Sequence, residues 1–471
     1  MYGANDILCF VLIAGIIGLD LSLTIKIGVF FTTQGKDFSS MQSPEIRQTS
    51  RQRPLFRIVA LWLALGVCLV AASGVFLFWQ GQHTNTPMHA IYVAYGSYAR
   101  PVKKLSDLVD NPVTLRVAAL DPHNGKRIWQ TDLLTFSVES KGGASDSPGR
   151  PGLIAAGSMV YAFTSTKQQG IVIALDAHTG TVLWKYIQNS NPIINVKTAN
   201  GSVYIQEGQK NLQVLDGGSG RSLWQISAGT YDYIGSMAFS SQAVYIVEEG
   251  FGKSPNDPSY MHLLRALRTS DGTEIWRGAV DKTDNTVPYQ LQVDDQRVYL
   301  LKPSYESGGV NLPGTVVALH ILDGSTLWTY HEQQYSEADF SYFAHSLDGQ
   351  TLYLPAFNSM TAIDAQDGKL LWTYKTPNEM NLFVPKDRLY GYVDEAKYFC
   401  SLNLKDGTKR WCTSVQPGSG ISVGTENLYF LGYQGSGEDM MVLRQSDGQV
   451  VGQYQIGDPR RTFLAGFAVE E

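Results

Sequence analysis

One phrase recurs eight times along this chain and leaves little freedom over what it can fold into. Its fullest copies are Ile173-Ala174-Leu175-Asp176-Ala177-His178-Thr179-Gly180-Thr181-Val182-Leu183-Trp184 and Thr361-Ala362-Ile363-Asp364-Ala365-Gln366-Asp367-Gly368-Lys369-Leu370-Leu371-Trp372. The reference glycine falls at Gly125, Gly180, Gly220, Gly272, Gly324, Gly368, Gly407 and Gly448. Four residues later stands Trp129, Trp184, Trp224, Trp276, Trp328, Trp372 or Trp411; the eighth copy departs, with Gly452 there. Five residues before each glycine is Leu or Ile, and one place earlier a small or β-branched residue such as Ala119, Ala174 or Val214. A period of roughly forty to fifty residues kept in register over eight copies signals a repeat architecture.

Each unit follows one plan. An apolar run such as Gly152–Ala156 is followed by a tight turn and a run bearing a Tyr, among them Tyr92, Tyr161, Tyr204, Tyr245, Tyr299, Tyr353, Tyr390 and Tyr429. The Ala-Leu-Asp run, a Gly turn and the Leu-Trp run complete it. Short β-branched and aromatic runs between Gly, Asn and Asp read as strands and hairpins. Four strands in each of eight units predict an all-β, eight-bladed β-propeller of four-stranded antiparallel blades, which protects sheet edges by radial repetition. The first unit opens at Ile91-Tyr92-Val93, a second strand without a first. The chain finishes with a run over 462–469 that has no blade behind it, so this strand is expected to close the ring.

The segment ahead of the repeats reads differently. Residues 7–31 are apolar but carry Asp20 and Lys26, each of which costs roughly 2.5–3.5 kcal/mol at a membrane helix centre. This stretch is either a first membrane segment or lies ahead of a native start at Met41. From Ile58 to Trp79 there is no charge, and a helix of that length reaches about 33 Å, enough for a hydrocarbon core of about 30 Å. We therefore expect an N-terminal cytoplasmic part over 1–54, a transmembrane helix over 55–79, a tether over 80–89 and repeats over 90–471. Arg47, Arg51, Arg53 and Arg57 precede the uncharged run and the next Lys or Arg is Arg100. The positive-inside rule then places the repeats outside the cytoplasm, on a single-pass or two-pass cell-membrane protein. Rival readings are a cleaved signal peptide ending near Ala71-Ala72-Ser73 and a lipid anchor on Cys68.

Composition narrows the function classes. Net charge is −6 with no basic stripe in the repeats, which argues against nucleic acid as a partner. Four cysteines are too few for a disulfide scaffold, and no CxxC or His-rich metal spacing occurs. Cys400 and Cys412 flank the seventh hairpin and form either a cross-strand disulfide or two buried thiols. The seven Trp are expected to dock between neighbouring blades, each ring burying about 150–250 Å²; the alternative is a stacking floor for a flat cofactor. The small residue six before the glycine is expected to leave room for a ring from the next blade. Asp121, Asp176, Asp216 and Asp364 suit Asx turns, and their replacement by Arg268, His320, Asn403 and Arg444 elsewhere fits turn chemistry better than catalysis.

The phrase Ala-Leu-Asp-x-x-x-Gly-x-x-Leu-Trp, preceded by Val-Tyr, resembles the repeat of pyrroloquinoline-quinone-type (PQQ-like) propellers over about residues 90–471. That resemblance implies an eight-bladed ring with tryptophan docking. It covers quinoprotein alcohol dehydrogenases, the propeller lipoprotein of outer-membrane protein assembly, and extracytoplasmic binding modules. The resemblance to the enzymes implies adjacent cysteines against the quinone and a Glu, Asn and Asp set on calcium. No Cys-Cys pair exists here and the calcium set finds no match. The expectation is a non-enzyme with no catalytic, cofactor or metal residues; the alternative is a quinone-dependent dehydrogenase holding PQQ and calcium.

Loop lengths point to one face. Loops joining strands one–two and three–four share an end of the ring and are short. Loops two–three and the blade crossings share the other end, and there the expansions fall: 96–111, 136–151, 249–260, 303–313 and 330–339. Extra loop length costs little free energy and is where function tends to sit. This face either binds a protein or extracellular polymer or carries solvated loops alone. The expected molecule is a monomeric propeller at the membrane, a non-catalytic interaction scaffold or, alternatively, a scaffold for envelope protein assembly.

Overall fold

The computed structural model describes residues 89–470 except 103–110, 137–150, 166–168, 230–231, 251–261, 282–289, 303–304, 308–309, 313, 332–345, 348, 357–358, 376–381, 384–387, 394–397, 407, 415–419, 432–438 and 457–461. The expected membrane segments 7–31 and 55–79 and the tether therefore lie outside the described residues, apart from His89. Among the described residues no helix is long and apolar enough to cross a membrane.

Eight four-stranded antiparallel sheets follow one another. Blade 2 comprises Gly152–Ala156, Met159–Ser165, Gly170–Asp176 and Val182–Gln188, paired in that order. Blades 3 to 8 repeat this order from Ile193 to Gln455. Blade 1 is assembled from both ends of the ring: Ala90–Tyr98, Val113–Leu120 and Arg127–Phe136 are completed by Thr462–Glu470. That last strand runs antiparallel to the first, Ile91 opposite Val469 and Ser97 opposite Thr462. Expected closure by the C-terminal strand is thus what the structure has.

Each strand sends alternate side chains to its two neighbouring blades, so the core is divided among junctions rather than gathered at one centre. Eight buried clusters result, one for each junction. Tyr92, Val117 and Ala119 of blade 1 meet Val160, Ala162, Ile173 and Leu175 of blade 2. The series ends where Tyr429, Met440 and Val442 of blade 8 meet Ile91, Val93, Ala118 and Leu120 of blade 1. A cluster at that seam as well as at the other seven makes the ring closed.

The structure corrects several sequence boundaries. Residues 96–98 continue the strand rather than open a loop, because Gly96 remains paired with both Leu115 and Phe463. Strands likewise extend through Phe136, Gly250 and His331. The loop over 303–313 contains a small hairpin of its own, Tyr305–Ser307 against Val310–Leu312.

Candidate partner-binding face

The junctions fix where the faces lie. The reference glycines of blades 1 to 6 and 8 have φ between 66° and 72°, a left-handed conformation that other L-residues enter at a cost. At Gly180 a second constraint applies. A Cβ there would lie 2.5 Å from the Trp129 ring of the preceding blade, and the same indole donates from Nε1 to Ala177 O at 2.8 Å. Trp184, Trp224, Trp276 and Trp411 repeat the bond onto Gly217, Thr269, Ile321 and Gln445 at 2.8–3.0 Å. Trp328 lies over Gly368 without this bond; the carbonyl at that station, Ala365 O, accepts from Tyr299 Oη instead.

The small residue does not make room for a ring of the next blade. Ala174 pairs with Tyr161 on one side and Trp184 on the other. The two aromatic rings of the same blade meet over it, with centroids 5.8 Å apart. Tyr–Trp pairs at 5.9–6.1 Å recur in blades 1 and 3 to 7. The residue between the two rings is Ala in most blades, but Val214 in blade 3 and Ser401 in blade 7 sit between the same pair.

Sequence reasoning left the eighth copy empty, and the structure fills it with Tyr454. Its ring covers Gly125 of blade 1 as the tryptophans cover the other glycines. Its hydroxyl donates to Pro122 O at 3.2 Å, the same carbonyl station three residues before the glycine. Gly452 is what allows this, since a Cβ there would meet the Tyr454 hydroxyl at 2.7 Å. The available signal was an aromatic two residues on, on the same strand face.

The short-turn end of the ring is shaped by acid-capped turns. Asp176 Oδ1 accepts from the His178 and Thr179 amides, and Asp121, Asp216 and Asp364 accept comparably from backbone amides two or three residues on. A second acid, directly before the glycine, was missed. Asp271, Asp323, Asp367, Asp406 and Asp447 each accept from the amide two residues on. Side-chain hydrogen bonds from Thr273, Lys369 and Thr408, then these amide bonds, hold Asp271, Asp367 and Asp406 below the usual carboxylate range, and for Asp323 and Asp447 the amide bonds lead. Their chemistry is turn closure, and among the described residues no three His, Cys, Asp or Glu gather to hold a metal ion. Cys400 and Cys412 stand opposite each other on the third and fourth strands of blade 7, joined as a disulfide with Cα atoms 4.1 Å apart.

At the other end, second strands stop and the long loops begin. The first loop is closed at its base: Asn111, fully buried, bonds both the amide and the carbonyl of Arg100, and Ala99 N donates to Pro112 O. Three residues beyond Tyr204 and Tyr245, two carboxylates that sequence reasoning missed are buried, Glu207 and Glu248. Glu207 accepts from the Tyr186 hydroxyl and from Gln188 Nε2 of the neighbouring blade. Glu248 pairs with Arg265, which also holds Glu274 at 2.8 Å. Burial and the Glu207 carboxylate push the Tyr186 hydroxyl well above the ordinary phenol range. This end therefore rests on polar, fully engaged supports. The interiors of the loops over 96–111, 136–151, 249–260 and 330–339 lie outside the described residues.

Known proteins share this frame. The profile of the family described as outer membrane protein assembly factor BamB matches residues 114–296, 259–378 and 313–464. A BamB from Yersinia pestis is 25% identical over 328 residues, covering 66% of this chain and 76% of its own. One from Moranella endobia is 22% identical over 300 residues, covering 62% and 71%. Among solved structures, apo AztD from Citrobacter koseri superposes with a TM-score of 0.50 at 9% identity, over 81% of this chain and 98% of that one; a likeness at this identity concerns the fold alone. With three-quarters of its length matched, the chain is a PQQ-like β-propeller belonging to the outer membrane protein assembly factor BamB family.

Proposed function

We propose that this protein is a non-catalytic scaffold for protein assembly in the cell envelope, held at a membrane through its N-terminal apolar segment and offering the long-loop end to a protein partner. The family match over 114–464 carries the reading. Chain topology supports the division of labour. The polypeptide enters the ring at Ala90, opposite Glu470, at the short-turn end, the end away from the long loops. A spanning helix over 55–79 and an extracytoplasmic propeller follow from the charge distribution ahead of it.

The dehydrogenase alternative requires a quinone against vicinal cysteines and a calcium ligand set. The sequence has no adjacent cysteines, and the one disulfide among the described residues is cross-strand and twelve residues apart, which favours the scaffold reading over this alternative. Shortening 303–313 to a tight turn, followed by capture of envelope partners from crosslinked cells, tests the proposal. Loss of a partner that wild type captures is expected, with the ring still folded. An unchanged partner set after shortening both 249–260 and 303–313 would contradict it, as would dye reduction by purified protein on titration with PQQ and calcium.

A further inference from the structure

The outer rim at the short-turn end is uneven around the ring. Each third–fourth hairpin can be compared over the eight residues from four before the reference glycine to three after it. In blades 6, 7, 8 and 1 these hairpins carry seven Lys or Arg (among them Lys126, Lys369, Lys405, Lys409 and Arg410) against five Asp; in blades 2 to 5 they carry two Arg against five acids. Among the described residues, adjacent pairs of exposed aliphatics occur only in the cationic sector of these hairpins. Blade 6 presents adjacent Leu370 and Leu371, and blade 8 adjacent Val450 and Val451, all at least 44% exposed, with Ile128 of blade 1 beside them. Between the two aliphatic pairs lies blade 7, with Lys405, Lys409 and Arg410 exposed. At this end the hairpins of blades 2 and 4 expose one aliphatic each, Leu183 and Ile275, and blade 5 exposes two that are not adjacent, Leu322 in its turn and Leu327.

We infer that the short-turn rim of blades 6, 7, 8 and 1 rests on an anionic lipid surface. Aliphatic side chains at the level of long cationic ones suit the headgroup boundary, where Lys and Arg lay their stems on apolar neighbours and keep the charge among phosphates. Anionic headgroups attract such cations over a Debye length. The occupant is further indicated by the chain itself. It enters the ring in blade 1, inside this sector and at this end, after an uncharged run over 58–79. The intervening residues 80–89 reach at most about 35 Å when extended. The inference rests on the membrane-anchored reading and adds which surface meets the lipid.

The test uses the full chain in nanodiscs of phosphatidylcholine alone or with phosphatidylglycerol. A photo-crosslinking residue is placed singly at positions 128, 371 and 451, or at 183, 275 and 327, all exposed, and lipid adducts are read by mass spectrometry. The expectation is at least fivefold more adduct at the first three positions in phosphatidylglycerol discs. Lys405→Glu, Lys409→Glu and Arg410→Glu together should reduce it about tenfold. Equal adducts around the rim, or none with the chain inserted, would overturn the inference. Failure to insert would refute the anchor instead. The rim would then be judged by sedimentation of residues 80–471, which contain all eight junctions, with phosphatidylglycerol vesicles: binding lost on charge reversal supports it, and no binding overturns it.

Discussion

Replacing Gly180 by Ala puts two separable costs on one atom. The residue has φ +70°, and a side chain in the left-handed region costs about 1–2 kcal/mol. The new Cβ would also lie 2.5 Å and 2.7 Å from Trp129 ring atoms and 2.8 Å from Thr131 Oγ1. All three atoms belong to strand Arg127–Phe136 of the preceding blade, and Trp129 is held by its bond to Ala177 O. Displacing the indole is an overpacking cost of about 1–3 kcal/mol, giving about 2–5 kcal/mol in all. Gly157 is the control, with φ +61° and nothing within 4 Å of its Cβ; Gly157→Ala should cost only the backbone part, about 1–2 kcal/mol. Urea unfolding of both variants reads the difference as the inter-blade contact. A second arm, Gly180→Ala in a Trp129→Ala background, should lose most of that difference, because the obstructing ring is gone and only Thr131 Oγ1 remains close. Equal destabilisation by Gly180→Ala and Gly157→Ala, with no coupling to Trp129, would refute the account of these junctions.

Other outcomes follow from the same geometry. Tyr454→Ala should cost roughly 2 kcal/mol, about half the figure for a fully buried ring, and loosen the blade 8 to blade 1 seam selectively in hydrogen exchange. Glu248→Gln leaves Arg265 facing Glu274 without its buried partner; a loss of about 3 kcal/mol in urea unfolding is expected. Hydrogen bonding from Arg277, then from Arg265, holds the Glu274 carboxyl below its usual range. Its contribution to stability is therefore complete above the ordinary carboxylate pKa of about 4.3 and disappears as pH falls through the depressed native value. Acid unfolding of Glu274→Gln should accordingly show a shallower loss of stability below that pH than wild type.

The periodic parts of this molecule could be read from its sequence, because each needs only neighbours at fixed spacing. Gly180, Trp184 and Asp176 belong to one hairpin, and recurrence of the glycine in eight copies, the Trp in seven and the Asp in four implied blades, junctions and a closing strand. What escaped depended on contacts between units. Tyr454 breaks the spacing by two residues and is recognisable only once Gly125 of blade 1 is beside it. The role of Ala174 was misassigned because pairing with Tyr161 and Trp184 involves three strands, whereas the sequence displays one. Glu207 and Glu248 resemble solvated strand ends until Tyr186 and Arg265 are found against them. Strand ends such as 96–98 were cut short because glycine was read as a break where a paired ladder on both sides keeps it extended. For the binding face, sequence supplied loop lengths, and topology supplied the end of the ring they share.

A closed ring of eight blades, sealed where the C-terminal strand joins the first, underlies both proposals. Deleting residues 460–471 removes the strand that pairs from Ala90 to Ser97 and exposes the seam. The measurement is the thermal midpoint of the truncated propeller together with hydrogen exchange of amides 91–95. A clear fall in the midpoint and loss of protection at those amides, spreading to blade 8, is the predicted result. An unchanged midpoint with those amides still protected would contradict closure.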